Sequence, residues 1–122
     1  MTTVHTSIEI AASAEAVWAV LTDFDAYPEW NPFWVQVTGQ ARPDARLRVK
    51  VRPPVGIPLR FTPRVVRCDA PRELCLRGEM GWPWLARGEH RFEIVPGERG
   101  VRFVHGEQFG GILPRLLHGV LA

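Results

Sequence analysis

Hydrophobic and polar residues alternate along two neighbouring stretches in the last third of the chain. The stretches read WLARGEHRFEIV and GVRFVHGEQF, and the turn-forming sequence PGER separates them. Alternation with a period of two is typical of β-strands that bury one face, and two such runs around a Pro-Gly turn predict a β-hairpin. We therefore expect strands over about residues 85–95 and 100–109.

The face of this hairpin that points to the core carries polar as well as apolar side chains. If Phe92 and Phe103 point inward, the period of two turns His90, His105 and Glu107 inward too. A turn centred between positions 97 and 98 pairs His90 with His105 and puts Glu107 one inward step further along. An acid beside two imidazoles is costly to bury unless it is hydrogen-bonded or used. The pattern indicates an apolar pocket with a polar end.

The same kind of pattern divides the rest of the chain into a first strand, two short helices and further strands. Ser13 is a good N-cap and Glu15 suits the first turn of a helix, so a helix is expected just after Ser13. The expected elements before the hairpin are a strand at 3–10 with Ile8 inward, helices at 14–21 and 25–30, and strands at about 33–41, 45–52, 59–68 and 72–80.

A sheet with one apolar face needs a cover, and the last residues of the sequence supply one. A helix is predicted from near Ile112, with leucines and a valine as its apolar residues. This helix of about ten residues spans about 15 Å, which is too short to cross a curved sheet of six or seven strands. We expect that the C-terminal helix is truncated, that the pocket is open at one end, or that a partner chain completes it.

Length and composition indicate one globular domain over residues 1–122. A chain of 122 residues with 46% hydrophobic content has the size and composition of a single domain with a real core. No apolar run approaches the ~20 residues of a membrane span and no secretory signal is found, so a cytoplasmic protein is expected. Cys68 and Cys75 are expected to be free thiols, and neither has a partner at metal-ligand spacing. The sequence therefore predicts no metal site and no cofactor.

Basic residues are confined to the later part of the chain. Residues 1–41 contain five acids and no Lys or Arg, whereas all fifteen basic residues lie at or after Arg42. Such asymmetry can indicate nucleic-acid binding. Here the cations alternate with apolar residues, as Arg46 and Arg48 do with Leu47 and Val49, which is typical of the outer face of a half-buried strand. We expect no nucleic-acid partner.

Three segments of the sequence resemble a known family. They read IEIAASAEAVWAVLTDFDAYPEWNPF, VTGQARPDARLRV and GEHRFEIVPGERGVRFVHGEQFGGIL. They are similar to the polyketide cyclase and dehydratase branch of the START-like (SRPBCC) superfamily, and the resemblance covers nearly the whole chain. It implies an α+β helix-grip fold, in which a curved antiparallel sheet surrounds a longer C-terminal helix and encloses a hydrophobic cavity. Members of that superfamily bind lipids, sterols, quinones, polyketides or plant hormones, and a minority catalyse cyclisation or dehydration.

Strand parity and this resemblance together predict a pocket for a small apolar molecule. Its wall is expected to be apolar, with tryptophans from short helices and loops at or near its rim. An ordinary hydrophobic core remains the alternative for the same side chains. The predicted ligand-binding residues are Trp30, Trp34, Val49, Phe61, Leu76, Trp82, Trp84, Phe92, Phe103 and Phe109.

The polar residues of the hairpin leave three interpretations open. His90, His105 and Glu107 form a general acid–base set of the kind that cyclisation or dehydration requires, they hold the polar group of a ligand, or they are a structural hydrogen-bonded network.

The first functional hypothesis is a binding protein for a small hydrophobic or aromatic ligand, such as a lipid, a polyketide or a quinone-like molecule. The alternative is a cyclase or dehydratase that uses the three polar residues as catalytic groups. A third hypothesis is an interaction module, in which a homodimer covers the apolar surface beside the short C-terminal helix.

Overall fold

Eight β-strands and three short helical segments make up the described part of the chain. The computed structural model describes residues 2–52, 59–79 and 87–110. The predicted C-terminal helix from Ile112 and the tryptophans Trp82 and Trp84 lie outside these residues. The elements are β1 (Thr2–Ile10), α1 (Ala14–Thr22), a 3-10 turn (Phe24–Ala26), α2 (Tyr27–Trp30), β2 (Trp34–Thr38), β3 (Arg48–Val51), β4 (Leu59–Phe61), β5 (Arg64–Asp69), β6 (Glu73–Glu79), β7 (Arg87–Pro96) and β8 (Val101–Gly110).

The described strands form two antiparallel sheets. The larger sheet has five strands in the order β1-β8-β7-β6-β5, and the smaller has three in the order β2-β3-β4. Every pairing between neighbouring strands is antiparallel. Curved antiparallel sheets with two short α-helices confirm the predicted α+β class of the helix-grip type.

The described residues form eight strands where six or seven were predicted, because the predicted strand over residues 59–68 is divided in two. β4 ends at Phe61 and β5 begins at Arg64, and the two strands belong to different sheets. Pro63 lies between them and is fully buried. Proline has no backbone N–H to donate to a ladder, so it is unfavourable in the interior of a sheet. The described chain therefore has eight strands in two sheets instead of six or seven in one.

Helix α1 begins where the sequence predicts. Ser13 adopts an extended conformation, and its side-chain oxygen accepts a hydrogen bond of 3.1 Å from the backbone N–H of Ala16. Glu15 lies in the first turn, where a negative charge is favourable. Leu21 is buried at the other end of the helix, which holds α1 against the core.

The hairpin of β7 and β8 forms as predicted, but its register differs by two residues. His90 lies opposite Glu107, and His105 lies opposite Phe92, so the predicted pairing of His90 with His105 is wrong. The four residues 97–100 connect the strands, and the backbone N–H of Gly97 donates to the carbonyl oxygen of Gly100 at 2.8 Å. This places the centre of the hairpin one position later than predicted. A shift of two residues keeps each side chain on its predicted face.

The core joins the helices to both sheets. Tyr27 is buried, and its hydroxyl donates a hydrogen bond to the carbonyl oxygen of Leu21, which fixes α2 against α1. Burial also raises the pKa of this hydroxyl above its usual range. The buried cluster takes Leu21, Phe24 and Tyr27 from the helical segments, Val37, Leu47 and Val49 from β2, β3 and the residue before β3, and Val65, Leu74 and Leu76 from β5 and β6.

Ile8 departs from the predicted burial of β1. It pairs with Phe103, so it lies on the predicted inner face, yet 60% of it is exposed. β1 is an edge strand of the larger sheet and has a neighbouring strand on one side. The inner face of the sheet is therefore partly open at this edge.

Candidate functional site

The three polar residues of the hairpin meet on the inner face of the larger sheet. Glu107 lies between the two histidines, and one of its carboxylate oxygens contacts both. Its Oε1 atom is 3.0 Å from Nδ1 of His90 and 3.1 Å from Nε2 of His105. His90 reaches it across the strand pair, whereas His105 is two residues earlier on the same strand. The structure thus brings together the residues that the sequence places on one face.

Glu107 is held in its ionised form by these neighbours. The side-chain contact with His105, and then that with His90, lowers the pKa of Glu107 to about 2, against burial, which raises it. The approach of His105 is less well directed than its distance suggests. Its Nε2 atom is buried and makes no hydrogen bond of good angle within the described residues.

Aromatic rings surround the polar cluster. Trp34 packs edge-on against His90, with 5.2 Å between ring centroids and 82° between planes. Phe92 stacks on His105, with 4.7 Å between centroids and 9° between planes. The side chains of His90, Glu107 and His105 are 16%, 22% and 30% exposed. The cluster is thus half-buried in an aromatic setting, where charged contacts are weakly screened.

Trp34 occupies a different position from the predicted one. The sequence places its side chain at or near the pocket rim, although residue 34 also falls within the predicted strand over about 33–41. It is the first residue of β2, and its ring packs against the core cluster. The pairing of β2 with β3 is irregular between Trp34 and Gln36, which interrupts the alternation of faces. The ring also contacts Phe61, with 5.7 Å between centroids. A bulge of this kind leaves no clear mark in the hydrophobic pattern.

The other predicted ligand-binding residues fall into three groups. Val49 and Leu76 are fully buried in the core. Phe61, Phe92 and Phe103 are half-buried and pack against that core. Trp30 is 50% exposed, and its ring packs on Tyr27 with 4.8 Å between centroids. The third group lies outside the described part of the structure and comprises Trp82, Trp84 and the side chain of Phe109.

The outer face of β5, β6 and β7 carries a depression of about 340 Å³ lined largely by arginines. Three of its four arginines contact glutamates. Arg67 contacts Glu73 at 2.9 Å, and Arg77 contacts Glu89 at 3.0 Å. Cys75 is a free thiol whose Sγ atom lies 3.3 Å from Glu89, and burial raises its pKa to about 11. These contacts fit the solvated strand face that the sequence predicts, so the inner cluster is the stronger candidate site.

Comparison with known families gives a match over the whole sequence. The matching family is described as polyketide cyclase / dehydrase and lipid transport, and the match covers residues 1–122. No curated protein sequence matches the chain significantly. Among the described residues, no helix is long and apolar enough to cross a membrane.

Solved structures of similar fold include proteins of different kinds. A START superfamily protein from Mycobacterium smegmatis is 26% identical, with a TM-score of 0.75 over 98% of this chain and 88% of that one. The di-domain ARO/CYC protein StfQ from the steffimycin biosynthetic pathway is 15% identical, with a TM-score of 0.75 over 98% of this chain and 39% of StfQ. Truncated norcoclaurine synthase from Thalictrum flavum is 13% identical, with a TM-score of 0.71 over 99% and 83%. The last two likenesses concern the fold alone.

Proposed function

Because the chain belongs to the polyketide cyclase / dehydrase and lipid transport family, we propose that it binds a small hydrophobic or aromatic ligand against the inner face of the larger sheet. A lipid, a polyketide or a quinone-like molecule fits this description. The observation that carries the proposal is the polar cluster of His90, Glu107 and His105 among aromatic rings. Small-molecule sites commonly combine an apolar wall with a few converging polar groups.

The apolar part of the proposed site is the half-buried aromatic surface beside the cluster. Phe92 and Phe103 lie on neighbouring strands with 6.0 Å between their ring centroids, and both retain exposed surface. Ile8, opposite Phe103 on the edge strand, is largely exposed. Covering apolar surface of this kind contributes about 25 cal/mol per Å² removed from water. This surface favours a ligand with a flat aromatic ring system or an aliphatic chain.

The polar part of the proposed site selects the group that a ligand presents. Ionised Glu107 accepts hydrogen bonds and donates none, whereas an imidazole can donate or accept. A hydroxyl or phenol would donate to the carboxylate, and a carbonyl oxygen would accept from a histidine N–H. We therefore propose an oxygenated hydrophobic ligand over a plain hydrocarbon.

Phe103→Asp is expected to abolish ligand binding, because it replaces an aromatic ring of the apolar wall with a charged carboxylate. The measurement is fluorescence titration with 1-anilinonaphthalene-8-sulfonate, followed by native mass spectrometry for ligand that co-purifies with the chain. We expect wild-type protein to bind the dye and the variant to lose at least about tenfold in affinity, since an unpaired charge is costly in an apolar setting.

The matched control for this experiment is Val95→Asp. Val95 is 45% exposed and lies on β7 at odd parity to His90 and Phe92, so its side chain is on the outer face. The control adds the same charge to the same hairpin and should leave dye binding unchanged. Unchanged affinity in a folded Phe103→Asp protein would contradict the proposal.

A cyclase or dehydratase is the second candidate function, and the contact of one carboxylate oxygen with two imidazoles favours it. Such a carboxylate can orient a histidine that transfers a proton to or from a bound substrate. Ionised Glu107 is itself unsuited to act as the acid. On this hypothesis His90→Ala and Glu107→Gln keep dye affinity within about twofold but lower turnover of a polyketide-like substrate by about 100-fold, the effect typical of losing a general acid or base. Turnover retained in both variants would remove these residues from the mechanism.

A further inference from the structure

We propose that His90, His105 and Glu107 bind one divalent transition-metal ion, and we use Zn²⁺ as the ion to test. Each residue offers one ligand atom, and these atoms all lie within 4.8 Å of one another. The inference goes beyond ligand binding, and its test needs no organic ligand. It also departs from the sequence prediction that the chain has no metal site.

The distances within the cluster are close to those around a bound ion. Zinc lies about 2.0–2.1 Å from imidazole nitrogen or carboxylate oxygen, so neighbouring ligand atoms in a tetrahedral site are about 3.3 Å apart. The two nitrogen–oxygen distances here are 3.0 Å and 3.1 Å. The two imidazole nitrogens have to approach by at most about 1.5 Å to fit the same geometry. A small rotation about χ2, a broad torsion in histidine, would close this gap.

The donor atoms select the class of ion. Imidazole nitrogen suits zinc, copper, iron and nickel, whereas calcium and magnesium prefer all-oxygen sites. Two histidines and one carboxylate are also three protein ligands, and a zinc ion held by three ligands keeps a fourth position open. That position would take water or an oxygen atom of a bound small molecule.

Surrounding rings restrain the two histidines. Trp34 contacts His90 edge-on, and Phe92 stacks on His105, so both imidazoles are supported from beside the cluster. Groups that orient a ligating histidine contribute strongly to metal affinity. Partial burial lowers the competition of water for the ion. Aromatic rings therefore support both histidines of the cluster from one side.

A contiguous motif does not reveal this cluster. His105 and Glu107 are two residues apart on one strand, and His90 is supplied by the neighbouring strand through the register of the hairpin. Metal motifs that sequence inspection recognises place ligands at helical or zinc-finger spacing. Here the pairing of His90 with Glu107 creates the site.

The test is titration of the chelator-treated full chain with ZnCl₂ by isothermal calorimetry, with CoCl₂ as a spectroscopic probe. We expect one Zn²⁺ per chain at micromolar or lower dissociation constant, and a visible Co²⁺ absorption band. Glu107→Gln and His105→Gln should weaken Zn²⁺ binding by about 10- to 100-fold or more, since even residues that support a metal ligand have effects of that size. Both variants should also lose the Co²⁺ band.

His5→Gln is the matched control, because His5 is exposed on β1 and lies outside the cluster. It should leave both titrations unchanged. NMR of wild-type histidine ring nitrogens gives a readout free of folding effects: Zn²⁺ should shift the signals of His90 and His105 and leave His5 in place. Absence of Zn²⁺ uptake by the wild type, or uptake that the cluster variants do not weaken, would overturn the inference. Failure of dye binding in the same protein would instead bear on the proposed organic ligand.

Discussion

Gly100→Ala is expected to destabilise the fold by about 3 kcal/mol, because Gly100 combines a left-handed backbone with a crowded α-carbon. Its φ is 152°, a conformation that residues with a side chain rarely adopt. A Cβ atom at this position would collide with the backbone of Ile10 and Ala11 at the end of β1. The free energy of unfolding from urea denaturation measures the effect.

Gly97→Ala is the control, since Gly97 lies in the same connection but has neither the left-handed backbone nor the crowding of Gly100. A Cβ atom at Gly97 would meet the carbonyl oxygen of Gly100 at 3.6 Å, an ordinary van der Waals distance. We expect a change below about 1 kcal/mol for this variant, as for most substitutions outside a core or a special backbone conformation. Equal effects of the two substitutions would show that the close approach of Gly100 to β1 does not limit stability.

The register of the hairpin could not be predicted from alternation alone. Alternation fixes which face a side chain occupies, and the inward placement of His90, His105 and Glu107 follows from it. Any shift by an even number of residues satisfies the same alternation. In the observed register residues 97–100 connect the strands, and Gly100 within this connection lies against the backbone of Ile10 and Ala11.

The elements themselves could be predicted well where the signal is local. The N-cap at Ser13 and the long alternating runs of β7 and β8 are examples. Two features required knowledge of the partner strands. The division at Pro63 depends on which sheet each half joins, and the bulge after Trp34 depends on pairing with β3. The resemblance of the sequence to its family supplied the fold class, but not these local irregularities.

Trp34→Ala is expected to cost about 3 kcal/mol of stability, the lower end of the range for removing a large aromatic side chain from a core. The indole packs against the core cluster and makes edge contacts with both Phe61 and His90. Its loss leaves a cavity between the two sheets and frees the ring of His90 to turn. Urea denaturation should show the lost stability, and titration with Zn²⁺ should show weaker binding at the cluster.

Trp30→Ala separates this effect from a general loss of tryptophan. Trp30 is 50% exposed and its ring packs on Tyr27, so we expect a cost of about 1 kcal/mol, typical of one aromatic pair. Trp34→Phe should fall between the two, because it keeps an aromatic ring but fills less of the space. If Trp34→Ala and Trp30→Ala lost similar stability, the bulge in β2 would not be what joins the polar cluster to the core. A loss confined to Trp34→Ala, with weaker binding at the cluster, would show that packing of the smaller sheet holds His90 in position.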